Sequence, residues 1–167
     1  MQLKIPKPQR PIMGNYGIAA TDEGLMAWTW VRDEMTKSRN YWICTTRPDG
    51  RPHAAPVWGV VVDDVIYFGS AKSAVKARNL SHNPQVVVHL ESGDDCVIVE
   101  GEVFSVDDMS LLERIAADYG KKYVSFTPSA GDLHSETGVT YGVAPQIVMA
   151  WKESDFPNTA TRWVFER

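Results

Sequence analysis

The chain has 167 residues, 44% of them hydrophobic and 23% charged, with a net charge of −4 and a pI near 5.5. A chain of this length can bury roughly 70% of its unfolded surface as one domain, without disulfide or metal. The acidic balance speaks against a general nucleic-acid binder, and no apolar run approaches the roughly 20 residues that span a bilayer.

The first stretch, "MQLKIPKPQRPIMGNYG", is basic and carries Pro6, Pro8 and Pro11. It lacks the apolar core of a secretory leader, which points to a cytoplasmic protein. Residues 1–20 are expected to form an extended arm, ordered where packed on the body or on a partner. Residues 21–167 are expected to form a single domain. Within it, residues 21–38 are predicted helical, capped by Thr21 or Asp22, with Leu25, Trp28, Val31, Arg32 and Met35 along one face. Trp28 and Trp30 cannot share a face, which leaves one of them for the arm.

Strands follow. "NYWICTTR" alternates, "RPDGR" is a hairpin turn, and "PHAAPVWGVVVD" returns. Pro52 and Pro56 cannot donate to a ladder, so the first half of that strand belongs at an edge or a bulge. Asp63 and Asp64 turn the chain into "VIYFGSA". A short helix is predicted from about Ser73 to Ser81, stopped by Pro84, which forces Asn83 out of the helical region. "QVVVHLES" and "CVIVEGEVFSV" are two further strands joined through "GDD". "DDMSLLERIAADYG" is a second amphipathic helix, with Leu111, Ile115 and Tyr119 on one face and Gly120 as its stop. Residues 121–138 are expected to be irregular. "VTYGVAPQIVMAWK" and "TRWVFE" close the chain as strands. Hairpins are adjacent and no regular βαβ alternation appears. The prediction is a mainly β fold with some α: an antiparallel closed barrel with flanking helices.

Chemistry concentrates in "SAKSAVKARNLSHNP", residues 70–84, which holds Lys72, Lys76 and Arg78 and no acid. A helix start offers unpaired N–H groups and a partial positive charge, so it favours an anion. Ser70 and Ser73 add hydroxyls, and Lys76 lies one turn in. This is the composition of a phosphate cradle, though not of a P-loop; the rival is a solvated basic helix. Trp58 suits either the core or the wall of a flat ring. His53 and His89 suit structural roles or the edge of a cofactor site, and His82 sits at a helix end. His134 falls in the irregular segment. No two histidines stand at metal-ligand spacing, so no metal site is expected. Cys44 and Cys96 are expected as buried free thiols. Loop residues Lys121, Lys122 and Tyr123 are placed to cover a site.

The run from Thr45 to Val103, with "DGRPHAAPVWG", "IYFGS", "KARNLSHNP" and "VVHLESGDD" leading into "VEGEV", resembles the FMN-binding split-barrel superfamily. That superfamily is often called pyridoxamine 5′-phosphate oxidase-like. The tail "YGVAPQIVMAW" and "TRWVFE" is similar to its branch of flavin and deazaflavin oxidoreductases, and the resemblance spans about residues 39–166. It implies a six-stranded split barrel that forms a homodimer with its cofactor at the interface. Pro56, Val57 and Trp58 would line the ring; Ser70, Ser73 and Lys76 would hold the phosphate. Arg78 and Asn79 match the family's "RN" pair, as cofactor contacts or as braces of the helix. Several relatives place an arginine where this chain has Ala74; the resemblance then implies either that Lys72 compensates or that phosphate affinity is lower. The arginine-rich C-terminal pattern of the vitamin B6 oxidases is missing. The implied activity is hydride transfer between coenzyme F-420, or FMN, and a flat conjugated small molecule, with no catalytic acid identified. The alternatives are a non-catalytic cofactor carrier and a haem-handling barrel, whose axial ligand would come from His53, His82, His89 or His134.

Overall fold

A computed structural model describes residues 3–166. The elements run α1 (Trp28–Lys37), β1 (Asn40–Thr46), β2 (Pro52–Val62), β3 (Val65–Ala71), α2 (Val75–His82), β4 (Gln85–His89), β5 (Asp95–Ser105), α3 (Met109–Lys122), α4 (Ala130–Leu133), β6 (Gly138–Lys152), α5 (Phe156–Thr159) and β7 (Thr161–Val164). The strands are hydrogen-bonded in the order β3-β2-β1-β4-β5-β6-β7, and β3 also pairs with β6. That extra pairing closes β1–β6 into a six-stranded antiparallel barrel and leaves β7 outside it, on β6. The expected mainly β barrel with flanking helices is the fold.

Alternation decides what faces inward. On β1, Tyr41, Ile43 and Thr45 are buried, while Trp42 and Cys44 between them are half-buried on the outer face. The main core joins inward-facing barrel residues such as Ile43, Phe68, Val88 and Val148 to Val31 of α1 and Trp163 of β7. A second cluster lies under α3, where Leu112, Ile115, Tyr119 and Tyr123 cover Val60, Val62 and Tyr67. The core residue of the first α3 turn is thus Leu112; Leu111 is half-buried beside it. Closure depends on Gly142, opposite Tyr67 on β3: a Cβ there would run into the rings of Phe104 and Tyr67. The β2–β3 turn holds Asp63 at φ 51 and Asp64 at φ 67, both left-handed. Arg114 pairs with Asp63 at 2.8 Å and Arg32 with Asp64 at 2.5 Å, fixing helices α3 and α1 to that turn.

Three local expectations are corrected. The first helix starts at Trp28, not near Thr21. Arg10 explains this: its guanidinium donates to the carbonyls of Thr21, Glu23, Asn158 and Ala160. Residues 21–24 therefore fold as turns around an arm residue, and Gly24 at φ 86 presses on the Asn158 carbonyl. The second correction is Gly120, which does not stop α3. The helix runs on to Lys122, and the next residue, Tyr123, is anchored in the core with its N–H on the Tyr119 carbonyl. The third is the irregular 121–138 stretch, which contains α4. Ser129 and Asp132 cap it reciprocally, a capping box. The arm itself packs on the body: Gln9 bridges to Arg162 on β7, and Leu3 and Ile5 rest on the core.

Candidate functional site

β2 and β3 part company halfway. They pair from Val62↔Val65 to Gly59↔Phe68 and no further. Beyond that, Gly69, Ser70 and Ala71 turn to β6 and pair with Thr140, Val139 and Gly138. Residues 52–58 of β2 therefore pair only with β1. This is where Pro52 and Pro56 sit, as residues without an N–H require. The barrel wall is split here, and α2 packs at the mouth against β1, β2 and β3.

The start of α2 is electrostatically open. Its N-cap, Ala74, has no capping side chain, and its first turn holds no acid. The N–H groups of that turn are left facing outward, with the positive end of the helix dipole. Ser70 and exposed Ser73 flank it, and the Ser70 hydroxyl bonds only the adjacent Ala71 carbonyl, at 3.1 Å. Lys76 is half-buried, and burial alone pulls its pKa below the ordinary lysine value. Lys72 is spoken for: its ammonium donates to the Ser135 carbonyl at 3.1 Å. Arg78 donates to the Ser73 carbonyl, and Asn79, 3% exposed, donates to Thr45 Oγ1 at 2.9 Å. Both residues of the "RN" pair thus tie the helix to its own start and to the barrel.

Across the split, strand alternation divides Pro56, Val57 and Trp58. Val57 points into the barrel core, whereas Pro56 and Trp58 face outward. The Trp58 indole lies parallel to the Tyr123 ring, centroids 4.5 Å apart and planes 9° apart. The Arg39 guanidinium sits 5.5 Å from the Trp58 centroid. Tyr119 donates its hydroxyl to the Trp58 carbonyl at 3.1 Å. Arg39, Tyr119 and Tyr123 were not singled out beside Trp58 by the sequence. Their signal was available only as the spacing of Tyr119 and Tyr123 along one face of α3, which reads equally well as core.

Where β1 ends, α3 supplies the missing ladder partners of β2. The Gly59 N–H donates to the Tyr123 hydroxyl at 2.9 Å, and Lys122 donates to the Gly59 carbonyl at 3.0 Å. The Tyr123 hydroxyl in turn donates to the Arg39 carbonyl at 2.6 Å. Lys122 also donates to Tyr41 Oη at 2.7 Å, and the Tyr41 hydroxyl donates to the Met35 carbonyl at 2.5 Å. Burial pushes the Tyr41 and Tyr119 phenols upward and pulls Lys122 down to about 8.

The outer wall of the barrel carries a largely apolar face, interrupted by His89, Glu100 and Arg162. Register places one row straight across six strands: Pro56, Trp42, His89, Ile98, Met149 and Arg162. A second row runs Ala54, Cys44, Val87, Glu100, Ile147 and Val164. All are half-buried or exposed. His89 is therefore outward-facing, stacked at 5° on Trp42, with its Nδ1 bonded to the Leu90 carbonyl at 2.8 Å. His53 is half-buried, with Nδ1 3.5 Å from Thr45 Oγ1. Cys96 is buried and pushed up to about 11; Cys44 is half-exposed on the outer wall, against expectation. Among the described residues no cluster of His, Cys, Asp and Glu could hold a metal.

A cavity of about 420 Å³ lies away from the split, between Gln85, Glu102, Phe104, Pro145, Gln146 and Phe165. Its titratable lining, Glu102 and Glu166, has the wrong sign for a phosphate. The start of α2 has the right sign but is an open surface in the single chain.

No helix among the described residues is long and apolar enough to cross a membrane. No curated protein matches the chain. Among solved structures, a conserved hypothetical protein of Mycobacterium tuberculosis is 23% identical, with a TM-score of 0.66 over 81% of this chain and 89% of that one. An F-420 reductase is 21% identical, with a TM-score of 0.56 over 70% of this chain and 94% of its own. The haem storage protein of Vibrio cholerae is 19% identical, with a TM-score of 0.56 over 71% of this chain and 87% of its own. At these identities the likeness is one of fold, and the fold serves different functions. The family model described as pyridoxamine 5′-phosphate oxidase matches residues 30–140. That match runs from α1 through the split, α2 and α3 into β6, so the chain belongs to the pyridoxamine 5′-phosphate oxidase family.

Proposed function

We propose that the chain is an oxidoreductase that holds a phosphate-bearing flavin-type cofactor, coenzyme F-420 or FMN, in the split beside α2. The observation that carries this reading is the start of α2. An uncapped, acid-free first turn, two hydroxyls and a half-buried lysine without a carboxylate partner form an anion site that the protein itself leaves unfilled. Ser70, Ser73 and Lys76 hold the phosphate. Arg78 and Asn79 hold the helix that holds them. The outward side of β2 at Pro56 and Trp58, with the Val57 backbone between them, borders the ring. When bound, the ring supplies hydride transfer, which no side chain of this protein can perform. The chain's contribution is to anchor, orient and exclude water. A flat, conjugated, electron-poor small molecule is the substrate that could stack on such a ring.

The apolar outer wall supports a homodimer. Two rows of half-buried and exposed side chains, from Ala54 and Pro56 to Met149 and Val164, need a cover, and a second copy would bring a matching wall. Sedimentation should give twice the chain mass, and Ile98→Glu, at the middle of the first row, should give the monomer.

The deciding experiment is calorimetric titration of the cofactor-stripped protein with F-420 and, separately, with FMN. The branch resemblance favours F-420. Tight binding of F-420 and weak binding of FMN would direct the substrate search to reductions; the reverse would open oxygen-dependent chemistry. Failure of both to bind would reduce α2 to a solvated basic helix and end the proposal. Turnover with quinones and enones then separates the enzyme from a cofactor carrier.

A further inference from the structure

The proposed cofactor chemistry makes no use of the amine of Lys122. It is half-buried at the last turn of α3, and no carboxylate reaches it. Asp118, its neighbour on the same helix, is committed to Lys121 at 2.8 Å, and Glu34 on α1 is committed to Lys37 at 2.5 Å. Tyr41 on β1 and Tyr123 after α3 turn ring faces toward it, at 4.6 and 5.6 Å, and the Arg39 guanidinium also lies over the Tyr123 ring, 5.9 Å from its centroid. The ring faces favour the ammonium form; burial and the lack of an anion oppose it, and the outcome is a lowered pKa of about 8.

Hydrogen bonding agrees independently. Lys122 has two acceptors, Tyr41 Oη at 2.7 Å and the Gly59 carbonyl at 3.0 Å. A neutral amine has two N–H bonds and satisfies both. The third proton of the ammonium would find no acceptor in the protein, so the neutral form loses no bond and keeps a lone pair on that side. Beside the amine is a cavity of about 260 Å³ lined by Thr36, Val60 and Val61 and, from α3, by Asp118, Lys121 and Lys122 itself. Val60 and Val61 give it an apolar side, and the Asp118–Lys121 ion pair closes on itself beside the amine.

We propose that Lys122 is a nucleophilic amine that condenses with small aldehydes, whose apolar tail lies in the cavity against Val60 and Val61. The lone pair adds to the carbonyl carbon, the resulting carbinolamine loses water, and C=N replaces C=O. The amine's two protons leave with the carbonyl oxygen as that water, so no oxidant or reductant is consumed.

The test is competitive labelling of the native protein with limiting propanal, each imine trapped by cyanoborohydride and located by peptide mapping. Lys122 should label at least about fivefold faster at pH 8 than any other of the eight lysines, because about half of it is neutral there and ordinary lysines are almost wholly charged. Its rate should level off above about pH 9, while the exposed lysines keep rising toward pH 10. Lys122→Arg should remove that label alone. Val61→Trp, which fills the cavity but leaves both hydrogen bonds, should slow Lys122 at least fivefold and spare the rest. If Lys122 labels with the rate and pH profile of an exposed lysine, or labels last, it is only a prop for β2 and the proposal fails. If Val61→Trp leaves its rate unchanged, the cavity has no part in it and the proposal fails as stated.

Discussion

Helices α2 and α3 both follow a strand, and both pack on the barrel, but their first turns differ in kind. At α3, Asp108 accepts the Leu111 N–H at 2.9 Å, and that bond holds its carboxyl below the usual range. At α2 the same position is Ala74, with no side-chain bond and no nearby acid. A protein selected only for stability would cap both, since a Ser, Thr, Asp or Asn cap adds about 1 kcal/mol. Helix α2 is instead held from behind, by Asn79 on Thr45 and by Arg78 on the Ser73 carbonyl. Its front is left without a side-chain cap. Helix α1 is also uncapped, but its start carries no pair of hydroxyls and no desolvated cation, which is what distinguishes α2.

The largest effect should come from loosening the brace. Asn79→Ala leaves the buried Thr45 hydroxyl without its donor and should cost about 1–3 kcal/mol of stability in urea unfolding. Cofactor affinity should fall only through the fraction unfolded; a much larger loss of affinity would make Asn79 a cofactor contact. Next, Lys76→Ala should weaken F-420 or FMN at least tenfold, about 1.4 kcal/mol, with little change in stability. Unchanged affinity would remove the phosphate from α2. The matching change at the other helix, Asp108→Ala, should do the opposite: melting drops by about 2–4 °C and cofactor binding is untouched. Ala74→Asp sharpens the contrast in one variant. It installs at α2 the cap that α3 already has, so melting should rise by a degree or more while the new carboxylate repels the phosphate. A rise in both stability and affinity would contradict the placement of the anion.

The contrast between the two helices was half visible in the sequence. Asp108 ahead of an amphipathic run, and Ala74 ahead of a basic one, can be read from residue types alone, as can the hairpins at "RPDGR" and "DD" and the edge position of Pro52 and Pro56. These are local signals, and the barrel followed from them. What could not be read was set by distant partners. Arg10 gathers carbonyls from residues 21, 23, 158 and 160, and so removes the first turns of the predicted α1. Tyr123 reaches Gly59, and so carries α3 past a glycine that looked like its end. The site shows the same division. Ser70, Ser73 and Lys76 lie within seven residues of one another, so their grouping at the start of α2 can be read from the sequence; Arg39, Tyr119 and Tyr123 reach Trp58 only through the fold. Val57 was grouped with Pro56 and Trp58 as one wall, though the period of two in a strand sends its side chain to the other face.

The smallest effect is one of protonation, and it probes Lys76 without a mutation. Burial lowers the Lys76 pKa in the free protein. A bound phosphate dianion favours the charged lysine, so binding raises that pKa again. Affinity is then level while Lys76 is already protonated in the free protein, and it declines as pH rises through the lowered value. On the acid side, a phosphate monoester loses its second charge near a pKa of about 6, so affinity declines there too. F-420 bears a phosphodiester, which keeps one charge throughout, and its acid limb should be absent. Calorimetry in two buffers of unlike ionisation enthalpy reads the linkage directly: on the alkaline limb each binding event should take up a proton, and in Lys76→Ala it should take up none. Helix α3 offers the reverse titration. The Asp108 cap is present above the ordinary carboxylate pKa and is lost as pH falls through its depressed one, so acid should loosen α3 while leaving the charge at α2 intact.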